Sequence, residues 1–264
     1  MIMDYRYECL PELERKPARK RIVVLTGAGV SAESGLPTYR SDDFALYVEN
    51  DCINLATPQG FRKNPAAVLD FYNKRRLQLA QAQPNHAHML LAELEKWHDV
   101  TIITQNVDDL HERAGSTDVI HVHGELTKVT SSISRTDPAC IKELPLDVPM
   151  RIGDTAADGS QIRPNVVWFG EEVYAYEKSR RIACEADVFV VIGTSLKVTP
   201  AAGLVKCPIR APMKYIIDPC EPFDPCDDHY PDAKNCFISL LQNIAISTSH
   251  GVSISISCMN ISLF

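Results

Sequence analysis

The sequence predicts a doubly wound α/β fold, a mostly parallel Rossmann-like sheet with a smaller helical and irregular lobe. Two observations carry this. Continuous apolar, β-branched runs recur at 22–26, 100–104, 119–122, 166–169, 187–192 and 215–217, each followed by glycine or polar residues. Parallel strands buried on both faces read this way. Segments of helical period at 65–82, 85–97 and 172–186 lie between them, the alternation expected of βαβ units.

The first strand, 22–26, runs into Gly27-Ala28-Gly29-Val30-Ser31-Ala32. Gly27, Gly29 and Ala32 have the spacing of a dinucleotide-binding turn, in which glycine lets backbone N–H groups approach a pyrophosphate. Gly35 and Pro37 stop the short helix that follows, since both are poor in helix interiors. Residues 38–56 are mixed and polar, and no strand precedes Glu49 or Asp51, near the offset of a ribose-binding acid. The turn therefore runs into a loop that covers the ligand. This favours chemistry at a cofactor's ribose over hydride transfer.

Residues 42–98 are mostly helical and form a small lobe together with 127–161. The latter segment is rich in Ser, Thr, Asp, Pro and Gly and reads as a loosely ordered surface excursion, partly stiffened by Pro138, Pro145 and Pro149. Residues 1–41, 99–126 and 162–245 then make up the dinucleotide-binding domain. Residues 246–264 form a tail whose Val-Ser-Ile-Ser-Ile-Ser alternation fits an extra edge strand or a disordered end.

Composition bounds the function. The chain has 264 residues, is 45% hydrophobic and carries a formal charge of −7. It contains no apolar run long enough to span a bilayer, no signal-peptide core at its N-terminus and no charge excess suited to nucleic acid. The basic cluster Arg15, Lys16, Arg19, Lys20 and Arg21 reads as a solvated lead-in to the first strand. Nine cysteines without a C-x-x-C pair read as reduced thiols of a cytoplasmic protein, with Cys184 a small buried hydrophobe.

In open α/β sheets ligands bind beyond the carboxyl ends of the strands. At those ends lie Gln105, Asn106, Asp108 and His111, then His123 and Glu125, then Gly170 and Glu171, and then Gly193, Thr194 and Ser195. An amide, an acid, an imidazole and hydroxyls thus converge on the edge that carries the glycine turn.

Five segments, GAGVSAESGLPTYR (27–40), TQNVDDLHERAG (104–115), HVHGEL (121–126), RPNVVWFGE (163–171) and IGTSLKVTPAAG (192–203), closely resemble the sirtuins, NAD-dependent protein-lysine deacylases, in family order over residues 21–222. The resemblance implies that NAD is consumed, that nicotinamide is released and that the acyl group ends on ADP-ribose. It implies that His123 is the general base and that Asn106 orients the ribose and a water. Gly27, Ala28, Gly29, Ser31, Ala32, Pro37, Tyr39, Arg40, Gln105, Asn106, Asp108, Gly193, Thr194, Ser195 and Asp218 would bind the cofactor. Asp108 would hold the nicotinamide carboxamide, and Arg40 would face the diphosphate or the closing loop. Asp218 stands where the family usually has Asn at an adenosine-ribose contact. Val166, Val167, Phe169, Gly170 and Glu171 would pair with an acylated-lysine protein substrate bound as an extended peptide.

Tyr72 and Arg75 lie three apart on one helical face. Together with Ala56-Thr57-Pro58 upstream, the pair resembles the acyl pocket of the bacterial and mitochondrial desuccinylases. A phenol and a guanidinium can clamp a carboxylate, which implies succinyl-, malonyl- or glutaryl-lysine as substrate beside acetyl-lysine. The chain departs from the family in one respect. Most sirtuins hold a structural zinc on four cysteines in the segment corresponding to 127–161. Here that segment contains only Cys140 and no His, too few ligands for a tetrahedral site, so no metal is expected. An ADP-ribosyltransferase or NAD hydrolase on the same scaffold, or a non-catalytic NAD-binding protein, are the competing readings.

Overall fold

The computed structural model describes residues 18–38, 55–208, 211–218 and 260–263, the last as backbone. Strand β1 (Arg21–Thr26) is followed by a 3-10 helix, Ala28–Ser34. Helices α1 (Pro58–Lys63), α2 (Pro65–Gln81) and α3 (His86–Leu94) precede strand β2 (Asp99–Thr104). Then come α4 (Leu110–Ala114), β3 (Val119–His121), β4 (Gly124–Ser131), β5 (Lys142–Glu143) and β6 (Ile162–Val166). Helix α5 (Tyr176–Cys184), β7 (Val188–Ile192), β8 (Met213–Asp218) and β9 (Asn260–Leu263) complete the elements used below.

The large sheet has the order β3-β2-β1-β7-β8-β9. Its first five strands are parallel and β9 is antiparallel to β8. Strand order reverses beside β1, and the carboxyl ends of β1, β2 and β7 adjoin there, the usual ligand position of such sheets. The strand interiors are apolar because both faces are covered. Val24, Leu25, Ile102, Ile103, Phe189 and Val191 are all fully enclosed, each contributing roughly 1.5–3 kcal/mol by burial.

The structure corrects the reading of 166–169 as a parallel strand. The strand is β6, Ile162–Val166, and it lies antiparallel to β4 in a separate sheet of order β5-β4-β6. Its residues Ile-Arg-Pro-Asn-Val are all buried, yet two of them, Arg163 and Asn165, are polar. Arg163 is paired with Glu171, and the Asn165 Oδ1 accepts from the Tyr174 hydroxyl at 2.9 Å. Partners across the following turn thus offset the burial of polar side chains, and hydropathy does not reveal them. Pro164 is tolerated because β6 is an edge strand.

Residues 127–161 are likewise ordered, contrary to the expectation of a loose excursion. They include most of β4, a 3-10 turn Pro138–Cys140 and β5. Val129, Cys140, Met150 and Ala156 share one apolar core with Val68, Leu69, Tyr72 and Leu79 of α2. Polar residues of the segment bond one another, as where Ser131 Oγ contacts Asp158 at 2.6 Å and Ser160 at 2.8 Å. Cys184 is exposed rather than buried, because α5 buries Ser179 and Ala183 and the next residue turns outward. Of the tail, β9 lies antiparallel to β8 at the sheet edge; the Val-Ser-Ile-Ser-Ile-Ser alternation on which an edge strand was expected lies outside the described residues. Among the described residues no helix is long and apolar enough to cross a membrane.

Candidate active site

The glycine turn packs backbone to backbone. A Cβ on Gly27 would fall 2.6 Å from the Thr194 Cβ, and one on Gly29 would fall 2.7 Å from the Gly193 Cα. Gly193 has φ +60° and would clash with the Val30 nitrogen at 2.4 Å, so glycine is required there on both counts. The Gly27 N–H donates to the Ile192 carbonyl at 3.1 Å and the Gly29 N–H to the Gly193 carbonyl at 2.8 Å. These two N–H groups are therefore spent joining the ends of β1 and β7. The glycines thereby serve the close approach of two turns.

The end of β2 is tied into the same corner. The Gln105 Nε2 donates to the Thr194 Oγ1 at 3.0 Å, and its backbone N–H to the Thr26 carbonyl at 2.9 Å. Asn106 is fixed at its backbone N–H by the Thr104 Oγ1 (3.0 Å), while its side-chain Nδ2 donates to the Ser31 Oγ (3.1 Å). The Ser31 hydroxyl passes its own hydrogen to Asp108 Oδ2 at 3.0 Å. Ser31, Asn106 and Asp108 are all buried. Burial raises the Asp108 pKa, while the Leu110 N–H and the Ser31 hydroxyl work against that shift. Thr194 and Asp218 are buried at the ends of β7 and β8, and Ser195 is half-buried.

His123 sits in the tight link between β3 and β4. Its Nδ1 lies 2.9 Å from the Gln105 carbonyl oxygen. A carbonyl can only accept, so Nδ1 carries the hydrogen and Nε2 keeps its lone pair. Burial lowers the His123 pKa, and the Gln105 carbonyl partly offsets this. The net lowering favours the neutral imidazole, with its lone pair on Nε2.

Three further histidines contact Thr26, Ser31 and Asn106. His88 and His111 stack edge to face at 4.8 Å, and the His111 Nε2 meets the Thr26 Oγ1 at 3.1 Å. Burial lowers their pKa values to about 4 and about 3, with His88 also depressing His111, so both are neutral under the turn. The third, His121, is doubly bonded to Asn106 and Glu112.

In the peptide segment, the Val167 N–H donates to the His123 carbonyl at 2.8 Å and the Phe169 N–H to the Ala56 carbonyl at 3.0 Å. The Glu171 carboxylate accepts from Arg163 at 2.6 and 3.0 Å and from the Trp168 N–H at 2.8 Å. An added strand would meet this segment through its carbonyl oxygens, or it would displace those bonds. Val166 is in β6, paired with Gly124, and Gly170 has φ +89°. Tyr72 is buried and its hydroxyl accepts from the Trp168 Nε1 at 3.0 Å, while the Arg75 guanidinium lies 4.6 Å over the Phe71 ring. Trp168 thus holds the Tyr72 hydroxyl in place. Its position inside an apolar run hid a hydrogen-bonding role. Ala28, Ala32 and Pro37 follow β1 in the same turn, whereas Tyr39 and Arg40 lie outside the described residues.

The family model of the Sir2 family matches residues 27–200. The chain belongs to the Sir2 family. Among curated Sir2 relatives, an NAD-dependent protein deacylase of Bacteroides thetaiotaomicron is 53% identical over 80% of this chain and 88% of its own length. A solved Sir2 homologue in complex with NAD superposes with a TM-score of 0.67 at 42% identity, covering 77% of this chain and 80% of that one. A Sir2 protein bound to a propionylated peptide gives a TM-score of 0.61 at 32% identity, over 80% and 85% of the two chains.

Proposed function

We infer that the protein is an NAD-dependent protein-lysine deacylase. The observation that carries this reading is the neutral His123, with Nε2 free to accept a proton, held on the Gln105 carbonyl beside the Asn106–Ser31–Asp108 chain. The donor set fits NAD chemically. Amides at Gln105 and Asn106, a buried carboxylate at Asp108 and hydroxyls at Ser31, Thr194 and Ser195 suit ribose hydroxyls and a carboxamide, and the glycine corner keeps side chains away from the strand ends. NAD, when bound, supplies the ribose carbon that is attacked and the ADP-ribose that takes up the acyl group. Asn106 orients the ribose through its amide. Asp108 presents a carboxylate to the carboxamide. His123 Nε2 takes the proton of a ribose hydroxyl and so raises that oxygen's nucleophilicity. The substrate is an acyl-lysine peptide laid extended along 166–171.

The same reading assigns acyl selectivity to Tyr72 and Arg75, which would clamp a carboxylate at the end of a succinyl, malonyl or glutaryl chain. It also takes the lobe at 127–161 to be zinc-free, supported by the packing of its single cysteine, Cys140, in apolar surroundings. The division into an NAD-binding domain (1–41, 99–126, 162–245) and a small lobe (42–98, 127–161) belongs to this reading too. Mass detection after incubation with NAD and acetyl- or succinyl-lysine peptide tests it, with acyl-ADP-ribose the expected product. Acyl-independent nicotinamide release would identify a hydrolase instead. Arg75→Met is expected to lower succinyl-lysine kcat/KM on the order of 10–100-fold, the loss of a charge-assisted contact, with a much smaller change for acetyl-lysine. Equal losses on both peptides would sink the clamp.

A further inference from the structure

Asn106 is held at a third point, its own carbonyl oxygen, and the group that holds it is His121. The His121 Nδ1 lies 3.1 Å from the Asn106 carbonyl and its Nε2 lies 2.7 Å from Glu112 Oε1. The His121 side chain is 7% exposed and that of Glu112 39%. Neither partner of His121 can donate a hydrogen bond at neutral pH. A carbonyl and a carboxylate only accept, so both ring nitrogens must carry hydrogen and the ring is an imidazolium. The placement follows from the register of β3. His121 stands opposite Thr104 of β2, and the Val122 N–H bonds the Thr104 carbonyl at 3.0 Å. The side chains of His121 and His123, two residues apart, therefore reach the successive carbonyls of Asn106 and Gln105.

We propose that His121, held as an imidazolium between the Asn106 carbonyl and Glu112, is a positioning residue for Asn106, and that loss of its proton switches the reaction off on the alkaline side. This rests on the deacylase reading above. When one proton leaves, a single hydrogen remains for two acceptors. The carboxylate is the stronger acceptor and retains it on Nε2. The Nδ1 lone pair then faces the Asn106 carbonyl lone pairs, and the contact turns from attractive to repulsive. The Asn106 backbone shifts, and with it the amide that bonds Ser31. His123 and His121 thus have opposite needs: the first must be neutral and the second charged.

The charged neighbours are consistent with this. Burial disfavours the His121 cation, but the Glu112 hydrogen bond and charge, Glu125 from β4 and the Asn106 carbonyl outweigh it, and the net shift is upward. Asp108, from the loop before α4, is also within electrostatic reach. The nearby His111 is held neutral by its burial. Lys128 is bound to Glu125 at 2.7 Å and lies 3.7 Å from Glu143.

The test is the pH profile of kcat on acetyl-lysine peptide at saturating NAD, for the wild-type chain and for Glu112→Gln, combined with NMR titration of the labelled histidine rings. Glu112→Gln keeps an acceptor at a partly exposed position and removes only the charge that retains the proton. The alkaline limb should move to lower pH while the acid limb stays in place. At the pH where the wild-type enzyme has half its alkaline-side activity, the variant should be slower by about three-fold or more. The His121 ring should carry two protons at neutral pH and titrate in step with the limb. An active wild-type chain whose alkaline limb is unmoved by Glu112→Gln, or whose His121 is neutral at neutral pH, overturns the proposal while the deacylase reading stands. A wild-type chain that transfers no acyl group sinks both.

Discussion

Replacing His123 with alanine is expected to lower kcat/KM for deacylation by about 10²–10⁴-fold, the usual contribution of a positioned general base. That corresponds to roughly 3–5 kcal/mol of transition-state stabilisation at 1.36 kcal/mol per tenfold. The same substitution removes one hydrogen bond, to the Gln105 carbonyl, worth about 1 kcal/mol of stability. The kinetic effect therefore far exceeds the structural one, and the variant should remain folded by circular dichroism while acyl-ADP-ribose formation collapses. The acid side of the profile follows from the same residue. Burial chiefly, against the Gln105 carbonyl, sets the His123 pKa below the ordinary imidazole value. The base is neutral above that pKa and protonated below it, so activity should persist from neutral pH into mildly acidic solution and fall as pH drops through it. A His123→Ala enzyme that kept more than about a tenth of wild-type kcat/KM would remove His123 from the role of base.

How much of this was legible in the sequence varied from residue to residue, for physical reasons. Strands such as Val188–Ile192 are buried on both faces, so their apolar runs identify them without any knowledge of neighbours. Strand β6 is equally buried, but it carries Arg163 and Asn165, whose partners Glu171 and Tyr174 depend on a turn that hydropathy does not register. The residues 127–161 looked loose because part of their cohesion is polar and their apolar contacts are to α2, far away in sequence. In the candidate site, Gly27, Asn106, Asp108 and His123 are named by strand ends and family motifs. His121 could not be read in this way, since a histidine inside a strand is ordinarily a packed one. Its role depends on β3 register and on Glu112 from α4, both of which are tertiary facts. The glycine spacing marks a place where backbones come close, and the bonds by which the Gly27 and Gly29 N–H groups join two strand ends are tertiary facts that the motif does not spell out. Arg76 did leave a signal. Along α2 the buried residues are Val68, Leu69, Tyr72, Arg76 and Leu79, the spacing of one apolar face, and an arginine on that face demands a buried set of acceptors.

Arg76→Met is expected to destabilise the small lobe strongly. The Arg76 side chain is fully buried in the middle of α2. Its guanidinium donates to the Leu126 carbonyl of β4 and to the carbonyls of Leu144, Pro145 and Val148 at 3.0, 2.7 and 3.3 Å. One cation thus ties a helix, a strand and the loop after β5. Burial lowers its pKa from the usual arginine value, with the charge of Asp147 acting in the opposite sense, and a guanidinium remains charged throughout the physiological range. Methionine nearly matches the stem in shape, so the apolar packing is largely kept and the loss is that of the donors. The four carbonyls are left without this donor at about 1 kcal/mol each, offset in part by relief from burying a charge. The net cost should be about 3 kcal/mol, a fall in Tm of roughly 6–12 °C for a domain of this size. Arg76→Lys should fall between, because one ammonium cannot present a planar fork to carbonyls on several sides. Thermal unfolding of the three proteins measures the order, and limited proteolysis of 127–161 locates the loss. If Arg76→Met unfolds at the wild-type temperature, the segment is held by its apolar contacts to α2, and the guanidinium is a buried charge that merely has its partners.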